Sequence, residues 1–222
     1  MSRLTRKDGP AKRAYNSRRR QEQVRQTQRA IVEAASELFA RLGYSGATME
    51  LIALDAGVAV ETVYASFGNK RAILSRLVDV SLVGDEEPVP LFQREGPQAV
   101  FAEKNQHRQV VLFARDMTNI MSRMAPLFGV MRAAAKTEPE IAAMLQKILH
   151  DRIDGMKVFV RALLSNGPLR AGLTLEQAAE TVWAITSGEV FILLVTDRGW
   201  SLEKYGEWLA DSLTRLLLEP VT

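Results

Sequence analysis

The 222-residue chain contains no cysteine and only two histidines. No disulfide, thiolate nucleophile or Cys-ligated zinc can therefore form. His107 and His150 stand alone, without HExxH or other paired-ligand spacing, so no metal site is expected. There is no glycine loop of the kind that cradles phosphate. Gly43-Tyr44-Ser45-Gly46 misses the nucleophile-elbow pattern by one position. No set of residues recommends a catalytic site or a cofactor. No apolar run reads as the roughly 20 residues needed to cross a bilayer, and the basic N-terminus lacks the apolar core of a secretory signal. The expectation is a cytoplasmic protein without a membrane partner. Strand alternation, internal repeats and sustained heptads are missing too, which leaves an all-α chain.

Charge is unevenly placed. Residues 1–29 hold ten Lys and Arg against Asp8 and Glu22, a net +8, whereas residues 30–222 net −5. A basic arm on an acidic body points to a polyanion partner at one end. Residues 1–17 carry no apolar periodicity and include Gly9-Pro10, so they are expected to be disordered alone. The helical pattern is expected to begin between Arg18 and Thr27. Ile31, Ala34, Ala35, Leu38, Phe39 and Leu42 then form a stripe that Gly43 ends.

The stretch Thr48–Leu74 reads as a short helix, a tight turn and a second short helix. Thr48 can cap the first helix. Gly57 suits the left-handed residue that ends it. Val60 to Phe67 forms the second helix, with Val63 and Phe67 four apart on the inner face. Asn69 caps a further helix packing Ile73, Leu74, Leu77 and Val78. Two short helices joined through a glycine turn make a helix-turn-helix, whose second helix can enter a major groove.

Ala34-Ala35, Leu38-Phe39, Gly43-Tyr44, Thr48, Ile52-Ala53, Ala56-Gly57-Val58, Thr62-Val63-Tyr64, Phe67, Lys70 and Leu74 follow in the order and spacing of a known DNA-binding domain. Over about residues 25–80 the chain resembles the tetracycline-repressor (TetR) family. Elsewhere the likeness is one of size and helical pattern. One position departs: the family usually has Ser where this chain has Ala59, before the recognition helix. The resemblance implies an N-terminal three-helix DNA-binding domain over residues 25–83, after a basic, flexible arm at 1–24. A larger helical domain over 84–222 would bind an effector and dimerise.

On the recognition helix, Val60, Glu61, Ala65 and Ser66 are the groove-facing candidates. Glu61 could accept from a cytosine amino group, or simply stabilise the helix dipole; Val60 or Ala65 could touch a thymine methyl. Thr62, Tyr64 and Lys70 match family positions that hold phosphates, contacts that position without reading sequence. Lys70 and Arg71 lie in a helix first turn, where cations oppose the dipole unless an anion sits nearby. Arg18, Arg19 and Arg20 could enter a minor groove or attract phosphates non-specifically.

Beyond Gly84–Pro90, a candidate boundary rich in Gly, acids and Pro, the pattern is helical throughout. One helix is expected from Gln98 to Met124, ended by Pro126, and a short one over 127–135. Thr137-Glu138-Pro139-Glu140 has capping-box spacing ahead of a long helix, as does Thr174-Leu175-Glu176-Gln177 ahead of a helix running to about Thr196. Ser201 caps the last helix. Phe113, Met117, Met121, Phe128, Met131, Met144, Phe159 and Trp183 suggest as a set a pocket for an apolar or aromatic small molecule, since Met adapts to irregular cavities; for any single member ordinary core is the commoner role. Arg115, Asp116, Asn119, Arg132 and His150 are polar groups that could orient a ligand. Phe191, Leu194, Trp208, Leu209, Leu213 and Leu216 resemble the helix pair of the family's dimer interface, with a single buried core as the alternative.

The expected function is a homodimeric, sequence-specific transcriptional regulator. It would act as a repressor on a roughly palindromic double-stranded operator and be released by a small effector. The rival is an architectural or scaffold role on DNA without an effector.

Overall fold

The computed structural model describes residues 10–220, with side chains from Arg19 onward. Every regular element among them is helical, as expected. The chain divides into two compact units, Met1–Arg76 and Leu77–Thr222.

In the first unit, α1 (Pro10–Gly46) packs on α2 (Met49–Asp55), and α2 on α3 (Val60–Phe67). The first helix begins at Pro10, well before the expected onset. Proline suits a first helical position, and the Ala, Arg, Lys and Gln that follow are strong helix formers. Residues 10–17 carry no apolar stripe in the sequence, so periodicity could not see this onset. Residues 1–9 lie outside the described residues. Gly43 breaks α1 at φ +70°, a conformation that favours glycine. Ile31, Ala35, Leu38 and Phe39 are buried, but Leu42 is not: the stripe continues one turn past the elements that cover it. The Thr48 hydroxyl accepts from the Leu51 N–H at 3.2 Å, and Asn69 Oδ1 from the Ala72 N–H at 2.9 Å, so both expected caps form. α3 starts at Ala59 with no side-chain cap.

α4 (Lys70–Val83) carries the chain into the second unit. There α6 (Gln106–Ala134) is the hub, packed against α5 (Glu95–Ala102), α7 (Pro139–Leu164), α9 (Gly188–Phe191) and α10 (Leu202–Leu217), while α8 (Leu175–Ile185) packs on α7. Pro126 does not end a helix; it lies inside α6. Its ring is exposed while Met124, Leu127 and Phe128 are buried. The missing N–H thus falls on the wet side, and packing on the dry side holds the helix through it. Glu103–Asn105 instead separates α5 from α6, with Asn105 capping the Arg108 N–H. Glu138, not Thr137, precedes α7, and no capping box forms there. The Thr174–Gln177 box is complete.

Residues Leu175–Asp197 are long and apolar enough by composition to cross a membrane, which the sequence reading did not expect. In the fold this segment is not one helix. Ser187 is extended (φ −70°, ψ 154°) and its hydroxyl caps α9, after which residues Ile192–Asp197 form a π-helical turn. A spanning helix would leave no such break unpaired in lipid.

Candidate functional site

α3 presents one face to solvent. Val63 is fully buried against the core that also holds Ile52 and Ala53. Half a turn away Glu61, Tyr64 and Ala65 are exposed together, with Val60, Thr62 and Ser66 partly open on the flanks. This is what 3.6-residue periodicity requires of a helix with a single inner anchor. The side chain of Tyr64 is about half exposed (48%), so its hydroxyl is free to reach a partner. Thr48 is exposed and already used as a cap; Arg71, Arg19 and Arg20 are exposed; the side chain of Arg18 lies outside the described residues.

Lys70 has a role that sequence reasoning missed. Its ammonium donates to the Tyr44 carbonyl at 2.6 Å and sits 4.3 Å over the Tyr44 ring. That ring in turn stacks on Phe39. The chain just after the Gly43 break thereby gains a cation partner. The only sequence signal was the Gly-Tyr pair ahead of a first-turn lysine.

The second unit encloses a cavity of about 400 Å³, within the range of small-molecule sites. α6 lines one side through Phe113, Asp116, Met117, Ile120, Met121, Met124 and Phe128, spaced as one helical face. α7 faces it with Ile148, Arg152, Met156 and Phe159. Phe113 and Phe159 stack across it, centroids 3.7 Å apart. Val78, Asp79 and Leu82 from the end of α4 complete the wall, with Leu91, Phe92, Pro97, Val100 and Phe101.

Of the expected ligand residues, Phe113, Met117, Met121, Phe128 and Phe159 line the cavity; Met131, Met144 and Trp183 do not. Met131 is one turn beyond Phe128 and fully buried in packed core. Met144 is one turn before Ile148, where the α7 wall begins. α8 contributes no wall residue, so Trp183 reaches the cavity only through Arg152, which lies over its ring at 5.2 Å. Among the polar candidates only Asp116 faces in. Arg115, Asn119 and His150 point to solvent, and Arg132 pairs with Glu189. The wall residues of α4 and α5 were invisible to sequence, because their order along the chain does not reveal which ends converge.

Two charged cavity residues are perturbed. Burial holds the Asp116 carboxyl above the usual aspartate range, partly opposed by the charge of Arg123. Arg123 Nε donates to the Ser81 carbonyl at 2.8 Å and Nη2 to the Leu82 carbonyl at 3.4 Å, capping the last turn of α4. Burial pushes Arg152 down to about 10.

Three of the expected dimer residues are sealed within the subunit: Phe191, Leu209 and Leu213. Leu209 and Leu213 lie on the inner face of α10 with Tyr205 and Leu217, and Phe191 packs edge-on against Tyr205 at 5.0 Å. The apolar stripe was read one face too wide. Leu216 is exposed, and Leu194 and Trp208 are partly open.

The family profile "Bacterial regulatory proteins, tetR family" matches residues 31–77, the span that forms the reading unit. The HTH-type transcriptional repressor BepR of Brucella suis is 23% identical over 209 residues, covering 91% of this chain and 97% of BepR. Residues 31–77 thus match the TetR-family DNA-binding domain. Among solved structures it resembles a SmeT–triclosan complex (TM-score 0.67, 22% identity, 87% of this chain and 92% of that one). A transcriptional regulator from Saccharomonospora viridis in complex with choline is also similar (TM-score 0.63, 18% identity, 87% and 98%). At these identities the two structures establish the TetR-type fold. A chain that carries this domain is a DNA-binding transcriptional regulator.

Proposed function

We propose that this TetR-family chain is a cytoplasmic, homodimeric repressor released from a roughly palindromic operator when a small molecule fills the cavity. The observation that carries this reading is the double membership of α4. Its first turn holds Lys70 in the reading unit, and its last turns supply Val78, Asp79 and Leu82 to the cavity wall. A ligand touching those residues acts on the helix that leads into the reader. It can shift the equilibrium only by its differential affinity for the operator-bound and free forms. Each recognition helix would address one half-site through Glu61, Tyr64 and Ala65, about 34 Å or a multiple apart. Dimerisation would use the apolar groups still open on the last helices, Leu193, Leu194, Trp208 and Leu216. BepR, a repressor, and the triclosan and choline complexes of two proteins of like fold support the same reading.

Footprinting on DNA selected from a random pool tests the first half: two protected half-sites in successive major grooves are expected. A cavity ligand that binds tightly but leaves operator affinity unchanged removes the second half. An architectural role gains some support from the absence of Arg or Lys in α3 and from the exposed Arg19 and Arg20. A specific-to-non-specific affinity ratio near one, against the roughly thousandfold or more of specific binders, would favour it.

A further inference from the structure

Two polar atoms are sealed without a hydrogen-bond partner among the described residues: Arg152 Nε and the Tyr205 hydroxyl. Arg152 lines the cavity. Its Nη2 donates to the Trp183 carbonyl at 2.6 Å and to the Thr186 hydroxyl at 2.7 Å, which fixes the guanidinium in place. The cation has no carboxylate in ion-pair contact. Glu189, the acid acting most on it, pairs with Arg132; the neighbouring wall acids Asp151 and Asp154 pair with Lys147 and Lys157. A largely buried guanidinium with one sealed, unpaired N–H is costly unless something fills the gap. Tyr205 is fully buried on α10, which contributes no residue to the cavity wall. Burial pushes the Tyr205 hydroxyl up to about 12, so it remains a donor at neutral pH.

We propose that the Arg152 end of the cavity receives the anionic head of an amphiphile, a carboxylate or its equivalent, whose apolar body lies along Met117, Met121 and Phe113. The head accepts from the Arg152 guanidinium. Charge-assisted bonds of this kind are short and strong in a dry site. This assignment rests on the reading of the cavity as the effector site. It adds the sign of the ligand's charge, which the fold itself does not set.

The test compares three probes that share one tail: decanoate, decanol and decyltrimethylammonium, titrated calorimetrically into the full chain at neutral pH. Decanoate is expected to bind at least about tenfold more tightly than the other two, the range of a charged hydrogen bond. Arg152→Gln should erase that preference. Tyr205→Phe, away from the cavity wall, should leave the affinities for decanoate and decanol near those of the parent. Equal or tighter binding of the cation, an undiminished preference in Arg152→Gln, or no binding by any probe overturns the proposal. If Arg152→Gln does not fold, the ranking of the three probes on the unaltered chain decides alone, and any order without decanoate first overturns the proposal. Operator release is scored separately. Decanoate that binds without loosening DNA removes the effector reading but not this one; release driven by decyltrimethylammonium does the reverse.

Discussion

Arg123 is the residue at which the cavity and the end of α4 meet. Its guanidinium caps the Ser81 and Leu82 carbonyls and faces the charge of Asp116 on the cavity wall. Arg123→Ala should leave operator affinity without ligand near that of the parent. It should reduce the ligand-induced loss by about 0.5–2 kcal/mol, the size of typical coupling changes, read from operator affinity with and without a cavity ligand. Asp116 makes a pH prediction. Its folded pKa is raised, so the fold binds the proton more tightly than the unfolded chain does. Stability is lost as pH rises from the ordinary aspartate range through the raised value, and the cost is fully present above it. Asp116→Asn should therefore raise the melting temperature at neutral pH, and the gain should vanish in acid. A gain that persists at low pH would place its cause elsewhere. Tyr205→Phe should stabilise the ligand-free protein or leave it unchanged, because it deletes a buried hydroxyl that has no partner. A marked drop in melting temperature would reveal a bond that this account lacks.

Two elements break local rules and can be repaired. α3 begins at Ala59 with an extended backbone and no side-chain cap. Ala59→Ser should add about 0.5–2 kcal/mol of stability to the reading unit, measured by denaturant unfolding. Pro126 sits on the wet face of α6. Pro126→Ala should restore one backbone bond and also stabilise, by up to about 3 kcal/mol. How far the elements could be read from sequence follows from the same physics. Thr48, Asn69, Thr174 and Ser201 announced their helices, because a cap is a local bond between near neighbours. Pro126 misled, because what carries α6 through it is packing from distant helices. The early start of α1 was missed because residues 10–17 carry no apolar period in the sequence.

At the scale of the whole molecule, the cavity was legible in kind but not in outline. Five of eight nominated residues line it, all on α6 or α7. The contributions of α4 and α5 depend on where the chain returns, which no window of sequence contains. The dimer face was overdrawn for a related reason: α10 is apolar over a wide arc, and only the fold shows that Leu209 and Leu213 face inward. Among the apolar side chains left open, Leu193 and Leu216 offer a clean test. Leu193→Glu with Leu216→Glu should convert the protein to monomer in sedimentation equilibrium while helix content is retained. A dimer that survives both changes would place the interface elsewhere.

The hold of Lys70 on the Tyr44 carbonyl and ring bears on how the reader meets a duplex. A free lysine surrenders its rotamers on docking, at about 0.5–1.5 kcal/mol for each immobilised side chain. Here that freedom is surrendered during folding, before any nucleic acid arrives. A phosphate would thus meet an ammonium whose place is already set. The backbone irregularity at Gly43 thus acts as a pre-set tether: straightening it would slacken a side chain nearly thirty positions along the chain.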